Sequence, residues 1–146
     1  MTNIIEKQIK NLFLIARDLE SVKNSRHAAA VMYKGKVISI GFSQYKTHPY
    51  AVKYQKNESA ITLHAEVDAI YKATKRLTEQ EMKKATLIVV RTKTIVGKRH
   101  RLSDHVWYSK PCEGCEQCIK DHGIKKVVYS VDSEEDVFKY VTEVWK

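Results

Sequence analysis

Glu66 of the run His64-Ala65-Glu66 is followed 46 residues later by Cys112 of Cys112-Glu113-Gly114-Cys115, with Pro111 just before it. One imidazole and two thiolates are ligand types that bind zinc. Structural zinc sites close all four coordination positions, whereas catalytic ones keep a position for water. Three protein ligands leave that position open. A zinc ion in such a site brings the pKa of water down to ~7 and makes it a nucleophile at neutral pH. Glu66 lies two residues from the histidine and is not needed as a ligand. Its carboxylate is therefore free to take up and deliver protons.

Other chemistries use some of the same residues. A lone Cys-x-x-Cys also serves as a redox pair or as half of a structural zinc site. Cys112, Cys115, Cys118 and His122 have the composition of a closed four-ligand centre. That arrangement would leave His64-Ala65-Glu66 without a role. Cys118 continues the three-residue spacing but drifts around the helix, and it reads as a core residue.

The elements that must position these groups follow from hydrophobic periodicity. Ile5, Ile9, Leu12, Phe13, Ala16 and Leu19 predict an amphipathic helix over 3–20. Residues 27–33 and 37–42 read as a hairpin around Lys34-Gly35-Lys36. Residues 43–59 have no period and read as a loop. Leu63, Val67, Ile70 and Ala73 predict a helix over 60–77. Ala85 to Val90 is apolar on both faces, which suits a strand in the middle of a sheet. Residues 91–109 read as basic and irregular. A helix is expected from about Cys112 to His122, with Gly123 suited to its end. Lys125 to Ser130 reads as a strand. Ser133 as N-cap, with Val137, Tyr140, Val141 and Val144, predicts a last helix.

The order is α-β-β-α-β-α-β-α, which argues for a sheet covered by helices. Both halves of the metal pattern fall at helix starts. Residues three apart share a helix face, so Cys112 and Cys115 can reach one ion. The positive end of the helix dipole favours their thiolate form. The ion is expected just beyond the helix ends, because an i, i+2 pair such as His64 and Glu66 diverges within a helix.

At 146 residues, with two prolines and five glycines, the chain reads as one domain, 1–146. Neither a signal peptide nor the ~18-residue apolar run of a membrane span is evident. All three cysteines fall between 112 and 118, an odd and clustered set that fits metal binding in a reducing compartment. The expectation is a cytoplasmic protein with no membrane partner. The net charge of +9 is uneven. Residues 132–146 carry five acids against two lysines, a net of −3, which leaves +12 on the other 131 residues. Such a surface attracts nucleotides, nucleic acid or counterions.

The pattern H-x-E…P-C-x-x-C resembles that of the cytidine deaminase superfamily, roughly from Arg26 to Asp132. The order of elements looks like the deoxycytidylate deaminase and tRNA adenosine deaminase branch. The resemblance implies a three-layer α/β/α sandwich around a mixed sheet of about five strands. Four strands are legible, and a fifth falls within 133–146 or 91–109 or is missing. It implies Zn2+ held by His64, Cys112 and Cys115, with Glu66 as the proton shuttle. It also implies that the backbone amide of Ala65 contacts the base and that the carbonyl of Lys110 accepts from the amine. Where nucleotide-type relatives place Gly, an aromatic residue and a sugar-binding Asn, this chain has Gly41-Phe42-Ser43. Serine hydrogen-bonds with a shorter reach. The glycine-rich loop linked to triphosphate regulation is not evident in 44–49.

The implied reaction is hydrolytic deamination of dCMP or CMP to the uracil nucleotide and ammonia. Ser43, Lys46, His48 and Lys110 are candidates for sugar or phosphate contact. A second reading is a tRNA or single-stranded DNA deaminase, suggested by Lys98, Arg99, Arg101, Trp107 and Tyr108. A third is a zinc-binding module without activity. Family members usually self-associate, so a homo-oligomer is expected.

Overall fold

The computed structural model describes residues 4–18, 26–45, 49–54, 62–96, 102–132 and 138–145. Helix α1 (Ile4–Arg17) leads into β1 (Arg26–Tyr33) and β2 (Lys36–Phe42). The turn between these strands holds Lys34 and Gly35 at positive φ. A short strand β3 (Gln44–Tyr45), a helix α2 (Pro49–Tyr54) and a second short strand β4 (Thr62–Leu63) precede α3 (Ala65–Ala73). Then come α4 (Glu79–Met82), β5 (Thr86–Val96), β6 (Leu102–Trp107), α5 (Glu113–Asp121), β7 (Lys126–Ser130) and β8 (Tyr140–Val144).

Six strands form one mixed sheet, ordered β2-β1-β5-β7-β8, with β6 also paired to β5. β5 runs antiparallel to β1 and parallel to β7. Leu87, Ile88, Val89 and Val90 have no exposed surface, as the apolar run predicts for a central strand. Alternate residues serve opposite faces. Ala28, Ala30, Met32, Ile88, Val90 and Val128 pack with α1 through Ile9, Leu12, Phe13 and Ala16. Ala29, Val31, Leu87, Val89, Val127 and Tyr129 pack with α3 and α5 through Val67, Ile70, Cys118 and Ile119. The result is the three-layer α/β/α sandwich.

The structure corrects four expectations. Residues 43–59 include β3 and α2, because Gln44 and Tyr45 pair with Leu63 and Thr62. The same pairing makes 62–63 a strand, so the helix expected over 60–77 starts at Ala65. Residues 91–109 are not irregular throughout: β5 continues to Val96 and pairs antiparallel with β6, with Arg91 opposite Trp107. The last helix is instead β8, antiparallel to β7. Val141-Thr142-Glu143-Val144 is rich in β-branched residues, and pairing supplies partners for the edge of β7. Ser133, Asp136, Val137, Lys46, His48 and the Lys98-Arg99-Arg101 cluster lie outside the described residues. Among the described residues no helix is long and apolar enough to cross a membrane.

Candidate metal centre

His64 and Cys112 are the N-cap residues of α3 and α5, both with extended backbone and neither using its side chain as a cap. Their side chains are therefore free to turn towards each other beyond the helix ends. Cys115, one turn into α5, is buried, whereas Cys112 is exposed. The His64 Nδ1 lies 3.2 Å from the Cys115 Sγ and 3.6 Å from the Cys112 Sγ. All three donor atoms lie within 4.8 Å of one another. A tetrahedral zinc, with Zn–S of ~2.3 Å and Zn–N of ~2.0–2.1 Å, holds such donors ~3.6 Å apart. The donor types and spacing fit Zn2+.

Electrostatics at the cluster follow from this proximity. Cys115 donates a hydrogen bond to Cys112 and holds its pKa down to about 3, helped by His64. Cys115 is pushed the other way, first by that bond, then by burial and the neighbouring Glu66 carboxylate. Cys112 thus carries the thiolate and Cys115 the shared proton when no metal is bound. The hydrogen bond to Cys112 also raises the His64 pKa, against the lowering effect of burial. Glu66, in the first turn of α3, is only 5% exposed.

Cys118 stands apart from the cluster. It is buried in the core beneath α3 and α5, and burial is the main cause that raises its pKa. His122 donates from Nδ1 to the Cys118 carbonyl at 2.8 Å, and its Nε2 faces the Tyr50 hydroxyl at 3.3 Å. The closed Cys112-Cys115-Cys118-His122 centre is not assembled. Gly123, at φ +78°, ends α5 as expected.

The candidate substrate contacts divide. Ala65 is fully buried as the first residue of α3. Ser43 is 5% exposed, and its N–H donates to the His27 carbonyl at 3.1 Å. A Cβ on Gly41 would stand 2.4 Å from the Ala65 carbonyl, while Gln44 pairs with Leu63. Ser43 thus lies on the short segment between a residue packed on Ala65 and a residue paired with Leu63. Lys110 is exposed and directs its ammonium to Glu143 on β8, 3.5 Å away. Its backbone, by contrast, leads directly into Pro111-Cys112.

Two features escaped sequence reasoning. Ser109 is buried where β5 exchanges β7 for β6 as its neighbour. Its Oγ lies 2.9 Å from the Val89 carbonyl and accepts the Ser130 N–H at 2.8 Å. This seats the segment that enters Pro111-Cys112. Asp68 is 4% exposed on α3 and accepts from Phe42, Gln44 and Lys72. Only the i, i+4 spacing to Lys72 hinted at a partner.

Comparison with known proteins agrees with this geometry. The fold resembles dCMP deaminase from the cyanophage S-TIM5 in apo form, with a TM-score of 0.57 and 21% identity over 90% of this chain and 85% of that one. The same phage enzyme in complex with dCMP and dUMP gives a TM-score of 0.58 and 20% identity, over 88% and 82%. Cytidine deaminase from Burkholderia pseudomallei gives a TM-score of 0.60 and 15% identity, over 97% and 93%. No curated protein matches the chain. Residues 3–131 match the family described as the cytidine and deoxycytidylate deaminase zinc-binding region. With that match over most of its length, and a His/Cys/Cys cluster that fits Zn2+, this chain belongs to the cytidine and deoxycytidylate deaminase family.

Proposed function

We propose that this chain, as one domain, catalyses hydrolytic deamination of a cytosine nucleotide, dCMP or CMP. His64, Cys112 and Cys115 hold Zn2+, and Glu66 moves the protons. The observation that carries the reading is the convergence of three ligand atoms within 4.8 Å at two helix N-termini, with a buried carboxylate beside them. Zn2+ bound there supplies Lewis-acid activation of a water near neutral pH. Glu66 accepts a proton from the attacking water, passes it to the ring nitrogen, and assists departure of the amine. Its burial keeps bulk water from competing for that proton.

Backbone groups beside the ligands can orient the base. Ala65 opens α3, and N–H groups in a first helical turn have no intrahelical acceptor. That amide suits an oxygen of the base, and the Lys110 carbonyl suits the exocyclic amine. Ser43 is assigned to the sugar side. Two helix N-termini also favour negative charge near the site.

A turnover screen against dCMP, CMP, cytidine, deoxycytidine and short oligonucleotides tests this. Uracil nucleotide is expected from dCMP or CMP. Glu66→Gln is expected to cut turnover by roughly 10²–10⁴-fold while the protein still holds zinc. Product from oligonucleotides alone would replace this reading with a polynucleotide deaminase. A zinc-loaded protein inert on every substrate would replace it with a binding module.

A further inference from the structure

We infer that Asp68 is a positioning residue that clamps Phe42-Ser43-Gln44 against the helix turn carrying His64 and Glu66, and so sets how tightly the sugar side of the substrate is held. Its kinetic consequence rests on the deaminase reading above; the clamp itself does not.

The geometry is as follows. Asp68 Oδ2 accepts the Phe42 N–H at 3.3 Å and the Gln44 side-chain amide at 3.1 Å. These two residues flank Ser43, whose own N–H is tied to His27. Lys72 completes the set at 3.0 Å, and its ammonium also donates to the Ile40 carbonyl. The Asp68 backbone N–H bonds the His64 carbonyl at 3.0 Å, the first helical bond of this turn. Gln44 in turn pairs with Leu63, the residue before His64. Asp68 thus closes a ring through Gln44, Leu63 and His64. The β1–β2 register ends at Phe42, and beyond it the backbone is held by the Ser43 bond to His27 and the short β3–β4 pair. A carboxylate is suited to reinforce this short pairing because hydrogen bonds to a charged acceptor are stronger than neutral ones.

The test compares Asp68→Ala and Asp68→Asn with wild type by amide hydrogen exchange, zinc content and kinetics on dCMP and CMP. Asn keeps an oxygen for the Phe42 N–H and so separates the bond from the charge. In Asp68→Ala, exchange of the Phe42 amide is expected to speed up about tenfold, in line with loss of a hydrogen bond to a charged group, and the Gln44 amide should also speed up as its side-chain anchor is lost. Exchange within α3 and zinc content should hold. KM should rise about tenfold, with kcat within roughly threefold, because ground-state and transition-state binding are lost together. Asn should recover part of both effects, because it restores an acceptor oxygen without the charge. Unchanged exchange at Phe42, an unchanged KM, or loss of zinc with a collapse of kcat would overturn the proposal. If wild type deaminates no nucleotide, faster exchange with zinc retained still supports the clamp, and only the deaminase reading falls.

Discussion

At the scale of single residues, the cluster divides its protons before any metal arrives. Cys112 has a pKa of about 3, while Cys115 and Cys118 are raised. Iodoacetamide applied to zinc-stripped protein is therefore expected to label Cys112 first. The sign follows from the depressed pKa. Cys112 is fully thiolate above about pH 5, so its rate should stay flat between pH 6 and 8, where an ordinary thiol with pKa of ~8.5 gains about tenfold per unit. Mass spectrometry of the labelled peptide checks this, and a rate that climbs with pH would contradict the assignment. Zinc should suppress the labelling. His64, Glu66, Cys112 and Cys115 were legible because ligand type and short spacing are local properties. Asp68 was not, because Phe42 and Gln44 lie more than twenty residues away in the chain.

At the scale of elements, the contact between β2 and α3 seats the first turn of α3, which carries Glu66. Gly41 makes that approach feasible. A Cβ there would stand 2.4 Å from both the Ala65 carbonyl and the Ala69 nitrogen, backbone atoms that cannot rotate aside. Gly41→Ala is expected to destabilise the protein by about 2–3 kcal/mol, the upper part of the range for overpacking, and to weaken zinc retention as α3 shifts. Urea unfolding with a zinc assay checks both; a change under about 0.5 kcal/mol, the scatter of neutral surface substitutions, would mean that the contact yields easily. The cysteine spacing with Gly123 found α5, and apolar patterning found α1, β1, β2 and β7. It misassigned 140–144 because apolar residues at 140, 141 and 144 also fit a helix. Pairing with β7 decides that segment, and pairing is set by a partner strand. The β5–β6 hairpin was missed for the same reason.

At the scale of the whole molecule, two apolar clusters on opposite faces of one sheet hold α1 on one side and α3 with α5 on the other. The His/Cys/Cys cluster joins the starts of α3 and α5, whose first residues, Ala65 and Glu113, have 47 residues between them in the chain; a metal held there would tie the two helices together. Zinc at a thousandfold excess over its Kd adds about 4 kcal/mol to the folded state. At roughly 2–4 °C per kcal/mol for a chain of this size, chelation should lower Tm by on the order of 10 °C. Calorimetry with and without chelator checks this, and an unchanged Tm would show that the cluster does not hold zinc in solution. Composition and spacing alone were enough to pick out the His/Cys/Cys group that the fold brings together, the carboxylate beside it and a sheet covered by helices, because donor chemistry and hydrophobic period are written residue by residue. Only the tertiary structure decided that 140–144 is a strand, that Lys110 turns to Glu143, and that Asp68 holds the strand end beside His64. Those outcomes depend on which distant segments the sheet brings into contact, and no local spacing encodes that.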